Sequence, residues 1–142
     1  MTKVVYNNCY GGFGLSSRAV MRYAEIKGFK LYPYVSVFKA GKKTTYNPAT
    51  EKELDDRDQY HIHFFRSPDP DDQTKGNYFS SYNIPRNDPA LVQVVEEMGD
   101  KANGICAQLA IEELIQGTMY RISEYDGNES VEIKGSGDWT VA

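Results

Sequence analysis

The sequence predicts an α+β fold, a mainly antiparallel β-sheet with two α-helices packed on one face. Three observations predict it. Two stretches carry apolar residues at helical spacing between cap signals, short aromatic and β-branched runs alternate with polar turns, and an Asp-Gly pair sits between two strand-like runs near the end. The 142 residues read as one domain, 1–142, without internal repeats.

Val4 to Tyr6 reads as a short strand, and the glycines of "CYGGFGLSSRAV" as the turn that follows. Ser16 suits a helix N-cap, with Leu15 and Val20 placed as a hydrophobic staple. Ala19, Val20, Tyr23, Ala24 and Ile26 recur at helical spacing, and Gly28 stands where a left-handed C-terminal residue belongs. "FKLYPYVSVFKAGKKTTYNP" predicts two strands around a Gly-containing turn, with Pro33 putting the first at an edge or shifting its start. "NPATEKELDDRDQ" predicts a loop or a short helix capped by Thr50, "YHIHFF" a strand, "RSPDPDDQTKG" an exposed, mobile loop, and "NYFSSYNI" another strand. In "RNDPALVQVVEEMGDKANG", Asp88 caps a second helix, Pro89 fits its first position and Gly104 ends it. Its stripe is Leu91, Val94, Val95, Met98 and Ala102, and Gly99 inside it predicts close approach of another backbone. "CAQLAIEELI", "MYRISEY" and "SVEIK" predict strands, the last two joined by an Asp-Gly turn of type I′, and the tail "GSGDWTVA" a loop with Trp139 folded back.

Charge narrows the function classes. A net charge of -4 argues against non-specific nucleic-acid binding, which depends on neutralising phosphates. Residues 1–43 nevertheless carry eight basic side chains against the single acid Glu25, a net of +7, while the remaining 99 residues carry a net of -11. Either one end presents a positive field, or the two parts interleave and cancel. Eleven tyrosines point to a surface that is both apolar and hydrogen-bonding. The start lacks a secretory leader's apolar run, and no stretch of about 18 apolar residues could span a bilayer, so a cytosolic location is expected. Cys9 and Cys106 form no CxxC pair and read as separate thiols.

The glycine turn is the first candidate for chemistry. Gly11, Gly12 and Gly14 precede Ser16 and Ser17, and Arg18 and Arg22 stand one turn apart behind them. Backbone N–H groups at the positive end of a helix dipole suit an anion. The pattern is neither the dinucleotide fingerprint nor a P-loop, and glycines needed for positive φ in a tight turn are the simpler explanation. His61 and His63 alternate onto one strand face, as a metal pair requires, but they also fit half-exposed strand residues. Cys9 lies near a helix start, where a thiol's pKa falls, or is a small buried hydrophobe. The acidic pairs Asp55/Asp56, Asp71/Asp72, Glu96/Glu97 and Glu112/Glu113 read as solvated faces.

"VVYNNCYGGFGLSSRAV", "RNDPALVQVVEEMGDKANGICAQLAIEEL" and "YRISEYDGNESVE" resemble stretches of a group of small proteins encoded by bacteriophages and prophages. The likeness covers about half of the chain, leaving out residues 30–82 and the tail. It implies a phage context and no catalytic residues. Such proteins commonly bind a host protein, or capture or destroy a nucleotide immune signal.

The function expected is therefore non-enzymatic capture of a phosphate-bearing small molecule, such as a signalling nucleotide, in the host cytoplasm. Gly11, Gly12, Gly14, Ser16 and Ser17 would take the phosphate, Arg18 and Arg22 the charge, and Tyr10 or Phe13 the base. No catalytic residue, metal or cofactor is assigned. The alternatives are a protein–protein inhibitor of a host enzyme that uses the acidic C-terminal half, and a metal-dependent phosphodiesterase around His61 and His63. Self-association is compatible with the sequence.

Overall fold

The structure, a computed structural model, describes residues 1–56, 62–133 and 140–141. Its strands are β1 (Thr2–Asn7), β2 (Tyr32–Val37), β3 (Thr45–Pro48), β4 (Ile62–Phe65), β5 (Tyr78–Phe79), β6 (Leu109–Leu114), β7 (Met119–Tyr125), β8 (Asn128–Ile133) and β9 (Thr140–Val141). Its helices are α1 (Ser17–Lys27), α2 (Glu51–Asp55) and α3 (Pro89–Met98), with 3₁₀ turns at Ser81–Asn83 and Gly99–Ala102.

The α+β class holds and all described strand pairs are antiparallel, but the strands divide into three sheets rather than one: β1-β6, β3-β2-β4-β5 and β8-β7-β9. Side chains and loops explain the division. The edge of β1 away from β6 is taken by the Arg86 carbonyl, which accepts from Val5 N–H at 2.8 Å, and by the Glu129 carboxylate, which accepts from Asn7 N–H at 2.8 Å. β8 therefore approaches β1 without forming a ladder. The run "NYFSSYNI" yields only the two residues of β5, because Ser80 Oγ accepts from Tyr82 N–H and starts a 3₁₀ turn instead.

Local chemistry accounts for the helices. Ser16 caps α1, accepting from Ala19 N–H, and Gly28 closes it at φ 85°. α2 is the short helix after Thr50, held by a capping box in which Thr50 and Glu53 satisfy each other's backbone. Asp88 caps α3 and Pro89 occupies its first turn. The second helix ends at Met98, earlier than the expected Gly104: Gly99 turns to φ 57° and ends the helix rather than sitting inside it. A Cβ on Gly99 would meet nothing within 4 Å, so the close backbone approach expected there is absent. It occurs at Gly104 instead, where a Cβ would lie 2.8 Å from the Gly14 carbonyl carbon.

β1 is buried on both faces. Val5 joins α1 and α3 in the main core with Tyr23, Leu91, Val94 and Phe79, while the alternate residue Val4 packs with Leu114 of β6 and Tyr120 of the third sheet. The β7–β8 hairpin carries Asp126 at φ 49° and Gly127 at φ 84°, the two positive dihedrals a type I′ turn requires. The loop between β4 and β5 is laced by the Asn77 amide, which donates to the carbonyls of Asp69 and Asp72. Among the described residues no helix is long and apolar enough to cross a membrane. Trp139 lies outside the described residues, although β9 just beyond it pairs with β7.

Candidate functional site

The glycine turn is built as a packing junction. Asn7, fully buried at the end of β1, donates through Nδ2 to the carbonyls of Cys9 and Gly127 and accepts at Oδ1 from Gln108 N–H. Gly11 donates its N–H to the Asp126 carbonyl at 3.3 Å, and Gly104 N–H donates to the Gly14 carbonyl at 2.9 Å. Three close approaches of backbone to backbone or Cβ meet here, at Gly11, Gly104 and Gly127, whereas a Cβ on Gly12 would meet nothing within 4 Å. A Cβ on Gly11 would lie 2.6 Å from Cys106 Cβ, and one on Gly127 would overlap the Gly12 nitrogen. Gly11 and Gly12 have φ of 113° and 99°, which only glycine adopts freely.

The same junction gathers the three stretches quoted above. Arg86 forms a two-pronged ion pair with Glu129 at 2.6 and 2.9 Å, and its guanidinium lies 3.6 Å above the ring of Phe13. Their side chains are 18% and 9% exposed, so the pair is largely desolvated. Phe13 in turn meets the edge of Tyr82 at 6.4 Å between ring centres. Cys9 and Cys106, beside the turn, are both free thiols, half-buried and exposed respectively.

The charge split of the sequence resolves in space by interleaving. Lys3 pairs with Glu96, Arg18 with Glu51 and Asp55, Arg22 with Glu97 and Glu25, and Lys27 with Asp88. Four of the eight basic residues of the first 43 are thereby paired, while Lys39, Lys42 and Lys43 stand exposed between β2 and β3. The Arg22 guanidinium, reinforced by Gln93, draws the Glu97 carboxyl down to about 2. The Arg18 guanidinium lowers the Asp55 carboxyl in the same way.

A cleft of about 590 Å³ opens beside the junction, between the start of α1, the end of α2, β4, β5 and the two 3₁₀ turns. Four of the residues expected to hold an anion line it: Gly14, Ser16, Ser17 and Arg18. The other five lie elsewhere. Gly11 and Gly12 are packed into the junction, Phe13 is buried beneath Arg86, Arg22 is held by Glu97, and Tyr10 is exposed outside the cleft. Ser16 is committed within the protein, since its Oγ accepts from Ala19 N–H and donates to the Lys101 carbonyl at 2.6 Å. In the first turn of α1 the N–H groups of Ser17 and Arg18 are the ones that helix geometry leaves for an external acceptor.

Sequence reasoning missed the opposite wall. Phe64 and Tyr82 supply aromatic surface, Ser80 and Ser81 hydroxyls, and Lys101 a cation, while Tyr78 borders the cleft with its ring packed on His63 and Phe65 at the other face of the sheet. The tyrosine-rich composition was the available signal, but only the fold selects which tyrosine faces the cavity. Burial first, and then the Tyr46 and Tyr82 hydroxyls, raise the Tyr78 phenol above its ordinary value. On the outer side of the four-stranded sheet, His63 approaches Ser36 Oγ with Nε2 at 3.2 Å and Tyr78 Oη with Nδ1 at 3.4 Å. His61 lies outside the described residues, and among those described no group of three His, Cys, Asp or Glu is arranged to hold a metal ion. Comparison with known proteins finds no matching family, no similar curated protein and no similar solved structure.

Proposed function

We propose that the protein binds a small phosphate-bearing ring compound, a nucleotide by chemical class, in the cleft beside α1 and does not transform it. The observation that carries this reading is the meeting of an aromatic wall with the Ser16–Ser17 end of α1 in one cavity of about 590 Å³. A ring stacks on tyrosine faces with sequence-independent affinity, and an anion is favoured at the positive end of a helix dipole. The binding residues assigned are Ser17, Ser80, Ser81 and Tyr82. The resemblance to phage-encoded proteins supports a biological sense for such binding, namely sequestration of a signalling nucleotide during host takeover.

The test is thermal unfolding against a panel of linear and cyclic nucleotides. Ligand at a hundredfold excess over Kd stabilises by about 2.7 kcal/mol, which raises the melting temperature by several degrees. Tyr82→Ala should remove most of that rise. The absence of any shift across the panel contradicts the reading.

A second reading, docking of a host protein, is favoured by Tyr10 and Tyr125, which are 60% and 78% exposed and flank the residues of the Gly11–Asp126 hydrogen bond. Capture of a host protein by the wild type and not by Tyr10→Ala/Tyr125→Ala, with nucleotides inert, would favour it.

A further inference from the structure

We propose that Lys101, and not Arg18, supplies the charge that distinguishes a phosphate-bearing ligand from its uncharged counterpart in the cleft; the proposal rests on the nucleotide reading above. Both cations line the cavity, but their states differ. The Arg18 guanidinium donates to Asp55 Oδ1 and to Glu51 Oε2, each at 2.6 Å. A phosphate recruited by Arg18 would have to displace a carboxylate already there, exchanging one anion for another with little net gain. Lys101 has no carboxylate within ion-pair distance among the described residues, so a phosphate meets it without that exchange.

Placement supports the same assignment. Lys101 sits on the 3₁₀ turn after α3, and this turn is clamped to the start of α1 by two hydrogen bonds: Ser16 Oγ donates to the Lys101 carbonyl at 2.6 Å, and Ser16 N–H donates to the Ala102 carbonyl at 2.9 Å. The root of the lysine side chain is therefore fixed beside Ser16 and Ser17. With Arg18 already held by two carboxylates, Lys101 is the remaining cation among the described residues that line the cleft.

Calorimetric titration with the four nucleoside monophosphates and their matching nucleosides tests this, using wild type, Lys101→Met and the double variant Arg18→Gln/Asp55→Asn. Lys101→Met preserves stem length, and the double variant deletes the ion pair at constant net charge. Wild type should prefer a monophosphate over its nucleoside by about tenfold or more, the scale of one charge-assisted contact. Lys101→Met should abolish that preference while nucleoside affinity stays the same, and the double variant should keep it. A preference that survives in Lys101→Met, or disappears in the double variant, overturns the assignment and leaves the nucleotide reading standing. Failure of the wild type to bind any of the eight compounds overturns both.

Discussion

Arg86 shows what single residues contribute to this molecule. It holds Glu129 across the interface of the first and third sheets, covers Phe13 and, through that ring, backs Tyr82 at the cleft. Truncating one partner of a largely buried pair leaves the other charge unpaired, so Arg86→Ala and Glu129→Ala should each lower unfolding free energy by about 3–5 kcal/mol in urea titration. Replacing both by apolar residues should cost less than the sum of the single changes. Glycine positions separate by cause. Gly99→Ala suffers only its left-handed backbone, worth roughly 1–2 kcal/mol. Gly127→Ala adds a collision with the Gly12 backbone and should be the more destabilising in the same titration. The sequence carried the glycine turn itself in plain view, yet the reason for it was out of reach. Gly11 makes room for Cys106, while the backbone of Gly12 and Gly14 is approached by Gly127 and Gly104, segments about a hundred residues away.

At the level of elements, signals confined to a few neighbouring residues were readable. Ser16, Thr50 and Asp88 cap the three helices, and Asp126-Gly127 makes the type I′ turn, because each needs only its own hydrogen bonds and dihedrals. The early end of α3 and the two-residue β5 were not readable, since a glycine's φ and a serine's choice of partner depend on what packs nearby. Asp88 links local and tertiary chemistry. Burial alone would raise its carboxyl, but hydrogen bonds from Tyr23 Oη at 2.7 Å and from Ala90 N–H, with the Lys27 ammonium at 3.5 Å, bring it below the ordinary value. A carboxyl lowered on folding contributes stability that is fully present above the unfolded pKa, about 3.9, and is lost as pH falls through the folded one. Unfolding free energy measured from pH 6 downward should therefore decline below about pH 4, and Asp88→Asn should flatten that decline. The same substitution keeps the cap of α3, since the Asn amide oxygen still accepts from Ala90 N–H, but removes the charge that Tyr23 Oη and the Lys27 ammonium face, so stability at neutral pH should fall by about 1–2 kcal/mol.

On the scale of the whole molecule, acids from the rest of the chain pair with Lys3, Arg18, Arg22 and Lys27, so the basic charge beside α1 is neutralised while that of Lys39, Lys42 and Lys43 stays at the surface. The anion site anticipated around Arg18 and Arg22 thus loses most of its electrostatic basis, while Ser16 and Ser17 stay at the edge of a cavity whose other wall comes from Phe64, Tyr82 and Lys101. Half of the candidate site was legible because it lies within one strand-to-helix turn. The other half is assembled from β4, β5 and the turn after α3, elements whose side chains meet only through the fold. The most direct measurement is an amide chemical-shift titration of the labelled protein with nucleoside monophosphates. Binding in the cleft predicts saturable shifts at Ser17, at Ser80 to Tyr82 and at Lys101. Unshifted cleft amides, or shifts confined to Tyr10 and Tyr125, would contradict it.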